Sequence, residues 1–282
     1  MTRWLVTGAG GMLGREVVAL RPDATALTRA DLDITDRSAV VRAVAGHEVV
    51  VNCAAWTQVD AAEAHEAEAT KINGDAVSTL AGACADAGAV LLHVSTDYVF
   101  DGRGTSPYAE DAPTDPVNAY GRSKLVGERA VLATPRGYVV RTAWLYGAHG
   151  KNFVATMLRL AGERDTVSVV ADQVGQPTWA RALAAQLVEL GTRAAAGTAP
   201  PGVYHGTASG TASWFDLARA VFATVGLDPE RVHPITSDRY PLPAPRPSYS
   251  VLGHDGWARA GMPPQPDWQT QLKEALATGG LG

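Results

Sequence analysis

The stretch WLVTGAGGMLG, residues 4–14, decides the fold. It begins as an apolar run of strand type, breaks at glycines, and passes directly into a helical pattern. Gly8, Gly11 and Gly14 fall three apart. The best-known dinucleotide spacing is G-x-G-x-x-G. Gly8 and Gly10 supply its first half, but Leu13 takes the third place, so G-x-x-G-x-x-G is the better fit. Each glycine has a physical task. Gly8 permits the tight turn, Gly11 lets backbone approach a pyrophosphate, and Gly14 lets helix and strand pack closely. The first-turn amides then face the phosphates with the helix dipole behind them. A plain glycine turn explains the glycines alone; the strand before and the helix after favour a dinucleotide site.

Working outward, short apolar runs at 3–7, 24–27, 49–52, 90–95, 138–142, 167–170 and 203–205 read as strands. Amphipathic stretches at 11–20, 38–45, 61–87, 119–133, 152–163, 180–192, 214–225 and 268–277 read as helices. The β-α-β-α order predicts an α/β fold: a Rossmann-type, doubly wound, mostly parallel sheet with helices on both faces. The strands are near-continuous Val/Leu runs, as two covered faces require. Regularity fades after about residue 205. The expected division is a dinucleotide-binding domain over 1–145, with return segments near 165–208, and a smaller C-terminal α/β substrate lobe made of 146–164 and 209–282. PLPAPRPSYSVL (241–252) carries four prolines, which fix φ and remove donors, and reads as an ordered extended loop.

The 282 residues suffice for one large α/β unit with a lobe. A net charge of −5 leaves no basic surplus for phosphates, which argues against nucleic acid as a partner. No run approaches the ~18 apolar residues of a membrane span. The N-terminal apolar run is too short for a signal peptide. Two cysteines, Cys53 and Cys84, form neither a disulfide framework nor a zinc spacing. The expectation is a cytoplasmic chain without membrane partners.

The tip of the second strand carries Thr28 and Arg29 where an acidic residue usually takes the ribose hydroxyls of NAD. Arg29 can pair with a 2′-phosphate, which leans toward NADPH, with NADH as the alternative; a solvated arginine explains it nearly as well. Asp33 and Ile34 are placed to flank the adenine. Ala54 and Ala55 end the third strand with side chains small enough for a cofactor to lie against backbone. LLHVSTDYVFDG (91–102) ends a buried strand in Ser95, Thr96 and Asp97, at the carboxyl edge where ligands of open α/β sheets bind. Then NAYGRSK (118–124) sets Tyr120 and Lys124 one helical turn apart, on one face. A carbonyl that receives a hydride becomes an alkoxide and needs a proton. A tyrosine can give it, a nearby lysine ammonium lowers the tyrosine pKa, and a Thr96 hydroxyl can polarise the carbonyl. His93, inside the strand, reads as a packed core histidine, and His205 as core or pocket wall.

With those motifs together, the chain resembles the extended short-chain dehydrogenases/reductases, and within them the branch that reduces nucleotide-linked 4-keto sugars. The resemblance covers nearly the whole length. It rests on TGAGGMLG (7–14), VVNCAAWTQVDAAE (50–63), STDYVFDG (95–102), NAYGRSK (118–124), RTAWLYG (141–147), NFVATMLRLA (152–161), DQVGQPT (172–178), GVYHGTASGTASW (202–214) and RPSYSVL (246–252). It implies Thr96, Tyr120 and Lys124 as the catalytic triad. It implies Met12, Leu13, Asp33, Ile34, Ala54, Ala55, Trp56 and Asn73 as further cofactor contacts beside Gly8, Gly11, Gly14 and Arg29. It places Thr57, Val59, Asp97, Tyr98 and Trp144 along the sugar, with Asn152 and Arg246 toward the nucleotide half. The implied reaction is NADPH-dependent reduction at C4 of a dTDP-4-keto-6-deoxy sugar, first of all dTDP-4-dehydro-L-rhamnose, by a monomer or homodimer. Some relatives hold Mg²⁺ between subunits through carboxylates; Glu16 is a candidate match, and an ordinary helix-surface glutamate is the simpler reading. Two departures bear on the pocket: Trp56 and Gln58 are not the residues expected in AAxTxVD, and Ala62 replaces a charge.

Three rivals stand beside this reading. A ketoreductase for another dTDP-deoxysugar would share every motif. A nucleotide-sugar dehydratase would carry a glutamate after the Asp, but Tyr98 follows Asp97; an epimerase would hold its cofactor tightly. A regulatory subunit of the methionine adenosyltransferase type has no need of an intact Thr96/Tyr120/Lys124 set.

Overall fold

The computed structural model describes residues 2–279; Met1 and residues 280–282, the outer ends of the two expected units, lie outside them. Five strands in chain order, β1 (Trp4–Thr7), β2 (Thr25–Leu27), β3 (Val49–Asn52), β4 (Val90–Thr96) and β5 (Gly137–Thr142), join the strand Gly202–His205 in one sheet. The spatial order is Gly202–His205, β5, β4, β3, β1, β2, and every pairing in it is parallel. The chain leaves β1 for one edge, then returns to lay β3 on the other side of β1. That reversal opens a crevice beyond the carboxyl ends of β1 and β3, where open α/β sheets bind ligands.

Alternation along the strands fills two cores. Trp4 and Val6 of β1, Leu92 of β4 and Val140 of β5 pack against Val17, Leu187 and Leu190. Leu5, Val50, Leu91 and Val139 face the opposite way, toward Leu80 and Val131. Burying both faces is what makes the strands read as unbroken apolar runs. Each such aliphatic side chain contributes about 1.5–3 kcal/mol relative to exposure.

A third core forms the lobe beyond the sheet. Helices Phe153–Glu163, Trp214–Thr224 and Trp268–Ala277 close on Met157, Leu217, Phe222 and Leu272. The strand Val167–Val170 pairs in parallel with Val232–Ile235 and shares this core, not that of the main sheet. Trp257, Ala260 and Met262 run the other way, into the core under the main sheet. The two units therefore exchange segments more often than the expected boundaries draw.

The stretch expected as one helix over 61–87 is broken. It runs as Val59–Ala64, Glu66–Thr70, a π-turn at Lys71–Asp75, and Ala76–Ala87. His65 leaves helical geometry at φ −133°, ψ 42°. The wider π-turn carries Asn73, fully buried, into contact with the backbone of Trp56. Such an extra residue re-aims a side chain where a plain helix could not. The proline-rich run packs as expected. Tyr249 N–H donates to Gly102 O and Ser250 N–H to Val174 O, and Ala244, Val251 and Leu252 are buried.

Candidate active site

A cleft of about 1300 Å³ runs from the β1 turn, over the ends of β3 and β4, to the lobe. Its first half is built from backbone. Gly8 sits at φ +67°, and a Cβ there would come within 2.5 Å of the Ala54 nitrogen. A Cβ on Gly14 would come within 2.3 Å of the Gly8 carbonyl oxygen. Gly11 is the N-cap of the helix Met12–Leu20 and offers no side-chain cap. The first-turn amides of Met12 and Leu13 are thus left without intrahelical partners, beside a wall made by Gly8, Gly11 and Gly14. That is a cradle for a pyrophosphate.

Farther along the same wall lie Arg29, Asp33 and Ile34. Asp33 accepts from the Thr35 N–H and hydroxyl, which hold its carboxyl below the usual range; Lys71 and Arg29 add to the effect. Two cations therefore converge at the rim, and Lys71 was not picked out from sequence. Ala54, Ala55, Trp56, Thr57 and Val59 continue the wall.

The second half is built from buried side chains. Thr96 ends β4, and Asp97 and Tyr98 follow in a short 3-10 turn. Thr96, Asp97, Tyr98, Tyr120 and Lys124 all line the cleft. Asn118 caps the helix Ala119–Leu132 by accepting from Gly121 N–H, which sets the turn that carries Tyr120. The Tyr120 hydroxyl lies near enough to the Thr96 side chain for that neighbour to act on its acidity. Burial, then the Asp97 charge, push the Tyr120 hydroxyl well above its ordinary pKa, and the Thr96 contact offsets this only in part. Tyr120 is therefore an undissociated acid. Asp97 is itself pushed up to about 6 by burial, against hydrogen bonds that include one from Thr96.

Lys124 Nζ donates to the Val94 carbonyl at 2.7 Å and lies 3.3 Å from His93 Nε2. Burial is the main cause that brings the Lys124 pKa down to about 8, against the pull of Glu128.

Trp144 holds φ +48°, the one non-glycine residue with positive φ among those described. Its indole stacks on Trp214, centroids 3.5 Å apart and planes 8° from parallel, and both rings line the cleft. A Cβ on Gly175 would meet the Trp144 ring at 2.7 Å, so the backbone behind the ring is bare. Trp214 was not singled out from sequence; its signal was an aromatic at the first position of a helix following a Gly/Ser-rich turn.

Three expected contacts stand behind the wall instead of on it. Asn73 hydrogen-bonds Trp56 and Ser123, and Ser123 donates to the Tyr120 carbonyl, so Asn73 braces the site. Asn152 caps the helix Phe153–Glu163 by accepting from Ala155 N–H and donates to Gly147 O. Arg246 is tied to Asp60 at 2.9 Å with its guanidinium 6.0 Å from the Tyr98 ring centroid. Glu16 is not a helix-surface residue: it is buried, 3.6 Å from Arg181 and 4.0 Å from His149. Among the described residues no three His, Cys, Asp or Glu side chains converge as a metal site. Nor is any helix there long and apolar enough to cross a membrane.

A switch-point cradle that leads to a threonine and a tyrosine in one cleft, with a buried lysine one turn on, defines the short-chain dehydrogenase/reductase class, in its extended form with a C-terminal lobe. Comparison with known proteins narrows the class. Residues 2–280 match the family described as RmlD substrate binding domain, and the chain belongs to that family. It is 55% identical over 282 residues to a dTDP-4-dehydrorhamnose reductase of Streptomyces griseus, covering 97% of this chain and 93% of that protein. It is 52% identical to a dTDP-4-keto-6-deoxy-D-glucose reductase of Streptomyces niveus, covering 97% and 96%. The crystal structure of dTDP-4-dehydrorhamnose reductase from Bacillus anthracis in complex with NADP superposes with a TM-score of 0.93 at 35% identity, covering 99% of this chain and all of that one.

Proposed function

We propose that the protein reduces the C4 keto group of a dTDP-4-keto-6-deoxy sugar with NADPH, in the first place dTDP-4-dehydro-L-rhamnose to dTDP-L-rhamnose. The observation that carries this is that an undissociated Tyr120 shares with Thr96 and Lys124 the cleft that starts at the glycine turn. The cradle fits a dinucleotide: uncapped helix amides face the pyrophosphate position, and Arg29 and Lys71 suit a 2′-phosphate. When bound, the reduced nicotinamide supplies the hydride.

The chain's own residues do the rest. The Thr96 hydroxyl holds the substrate oxygen and Tyr120 delivers its proton to that oxygen as negative charge develops. Burial serves the direction of reaction, because a hydroxyl with a raised pKa keeps the proton it must give. Lys124 presents an N–H to the cofactor ribose. Trp144 and Trp214 form an apolar wall for the sugar, and Val59, Thr57 and Tyr98 border it. In the cofactor-free protein the Thr96 hydroxyl donates its one proton to Asp97 at 2.9 Å, and it must turn from that bond to reach the substrate oxygen.

The near-equal likeness to a reductase named for another keto sugar keeps one second reading, a C4-ketoreductase for a different dTDP-deoxysugar. The test supplies dTDP-4-dehydrorhamnose and NADPH, follows nicotinamide absorbance, and identifies the product by NMR. Rhamnose configuration supports the first reading. Oxidation of NADPH with only a different keto sugar moves the assignment to the second, and no oxidation with either removes both.

A further inference from the structure

A row of buried polar groups crosses the sheet beneath the cleft and ends at Lys124. Thr7, Asn52, His93 and Lys124 are each no more than 2% exposed. The direction of every hydrogen bond in the row follows from one fixed donor. Ala54 N–H points at Asn52 Oδ1, 3.1 Å away, and a backbone amide cannot reverse its role. The Thr7 hydroxyl donates to the same oxygen at 2.7 Å. Asn52 therefore turns Nδ2 toward His93, 2.9 Å from Nδ1. An amide NH₂ only donates, so His93 Nδ1 carries a lone pair and the neutral ring keeps its proton on Nε2. Burial holds the His93 pKa well below its ordinary value, which excludes the doubly protonated ring.

Nε2–H then faces Lys124 Nζ at 3.3 Å. An ammonium has N–H groups and no lone pair, so it would set donor against donor in a site without water-like dielectric. A neutral amine accepts from Nε2–H, donates one N–H to Val94 O at 2.7 Å, and keeps one N–H for the cleft. We propose that Asn52 and His93 are positioning residues that present Nε2–H to Lys124 and so favour its neutral amine over its ammonium, making this lysine easier to deprotonate in the cofactor-free protein.

The other groups around Lys124 leave room for this. Glu128, one turn on along the same helix, favours the ammonium, but its carboxylate is bonded to Arg141 of β5 at 2.8 Å. Cys53, after β3, has its thiol pushed up to about 12 by burial and brings no charge. Tyr120 is undissociated. The proton-state claim stands on the hydrogen-bond row; only its consequence for turnover, a Tyr120 kept undissociated until the ribose arrives, rests on the reductase reading.

The test uses the cofactor-free full chain and no substrate. The sequence has four lysines, Lys71, Lys124, Lys151 and Lys273, and all but Lys124 are exposed. Nitrogen NMR of the imidazoles is expected to show His93 as the Nε2–H tautomer. Lysine Cε/Nζ spectra are expected to show Lys124 titrating near 8. His93→Gln, whose carbonyl can accept from an ammonium, and Asn52→Ala, which frees His93 Nδ1 to take the proton, should each raise the Lys124 midpoint by about one pH unit. An Nδ1–H tautomer in the wild type overturns the proposal. So does a Lys124 midpoint that stays put in a folded variant. Should neither variant fold, the wild-type tautomer decides.

Discussion

The two halves of the cleft solve opposite problems. The cofactor half, from Gly8 to Gly14, works by leaving side chains out: its donors are backbone amides and its walls are bare Cα atoms. The catalytic half works by burying what is usually exposed. Thr96, Asp97 and Lys124 are all less than a tenth exposed, and burial is the leading cause of the displaced pKa values of Asp97, Tyr120 and Lys124. Damage to the first half should therefore be steric and insensitive to pH. Damage to the second should be electrostatic and pH-dependent.

The largest effect is expected from Tyr120→Phe. It removes the proton and leaves the ring packed edge-on to Tyr98, 6.0 Å between centroids. We expect kcat to fall by about 10²–10⁴-fold, the usual contribution of a general acid, with cofactor affinity and melting temperature close to wild type. Steady-state kinetics with a separate cofactor titration checks this. Wild-type turnover would sink the catalytic assignment.

Next comes Glu128→Gln. Glu128 and Arg141 form an ion pair with both side chains almost wholly buried, and His205 and Phe100 close over the guanidinium. Removing one partner leaves a buried uncompensated cation and should cost about 3–5 kcal/mol in urea unfolding. The same change takes away the group that favours the Lys124 ammonium, so the Lys124 midpoint should fall further.

How much of this contrast could be read from sequence depends on whether backbone or side chain does the work. Gly8, Gly11 and Gly14 announce themselves, because a motif that needs absent side chains is written in glycine. The sheet was equally plain, since strands buried on both faces cannot be polar. Thr96, Tyr120 and Lys124 were legible as spacing, and the structure brings them to one cleft. The proton state of Lys124 was not. It depends on Ala54 N–H fixing Asn52 and on Asn52 fixing His93, the second a contact from β3 to β4 between residues 41 apart. A histidine inside LLHVST reads as core from sequence, and by burial it is core. Its position on the same face as Leu91, the face covered by the Tyr120 helix, was the signal that could have marked it. Asn73, Asn152 and Arg246 show the converse. Their residue types suit ligand contacts, and within the chain they are engaged by a π-turn, a helix cap and a partner at Asp60.

Asp97 tests the electrostatic side directly. Burial raises its carboxyl from an ordinary 3.8 to about 6. Between those values the folded protein holds a proton that the unfolded chain has released. This contribution to stability is therefore greatest below about 4 and is lost as pH rises through about 6, by on the order of 3 kcal/mol. Asp97→Asn should flatten that part of the profile. Denaturation midpoints measured across this window for both proteins give the answer, and parallel profiles would show that the carboxyl is not the source.

Gly14→Ala probes the other half at smaller energy. The added methyl must find room against the Gly8 carbonyl oxygen, now 2.3 Å from where it would sit, and the turn has to move. Overpacking of this kind costs about 1–3 kcal/mol. Cofactor affinity should drop along with stability, by the same factor at pH 6 and pH 9, because no titrating group is involved. A strong pH dependence of the loss would break the division between the halves.

Arg29→Ala should have the smallest effect and the sharpest meaning. Arg29 is exposed on the cofactor rim, and among the described residues it makes no ion pair within the chain. Its loss should leave the fold untouched. If it meets a 2′-phosphate, NADPH affinity should fall about tenfold while NADH affinity stays level, since one charge-assisted hydrogen bond is at stake. The loss should shrink in high salt, as an exposed ionic contact does. Equal weakening of both cofactors would place Arg29 against the shared part of the dinucleotide. The phosphate preference would then have to come from Lys71, across the rim, and Lys71→Ala repeated on the same pair of cofactors separates the two.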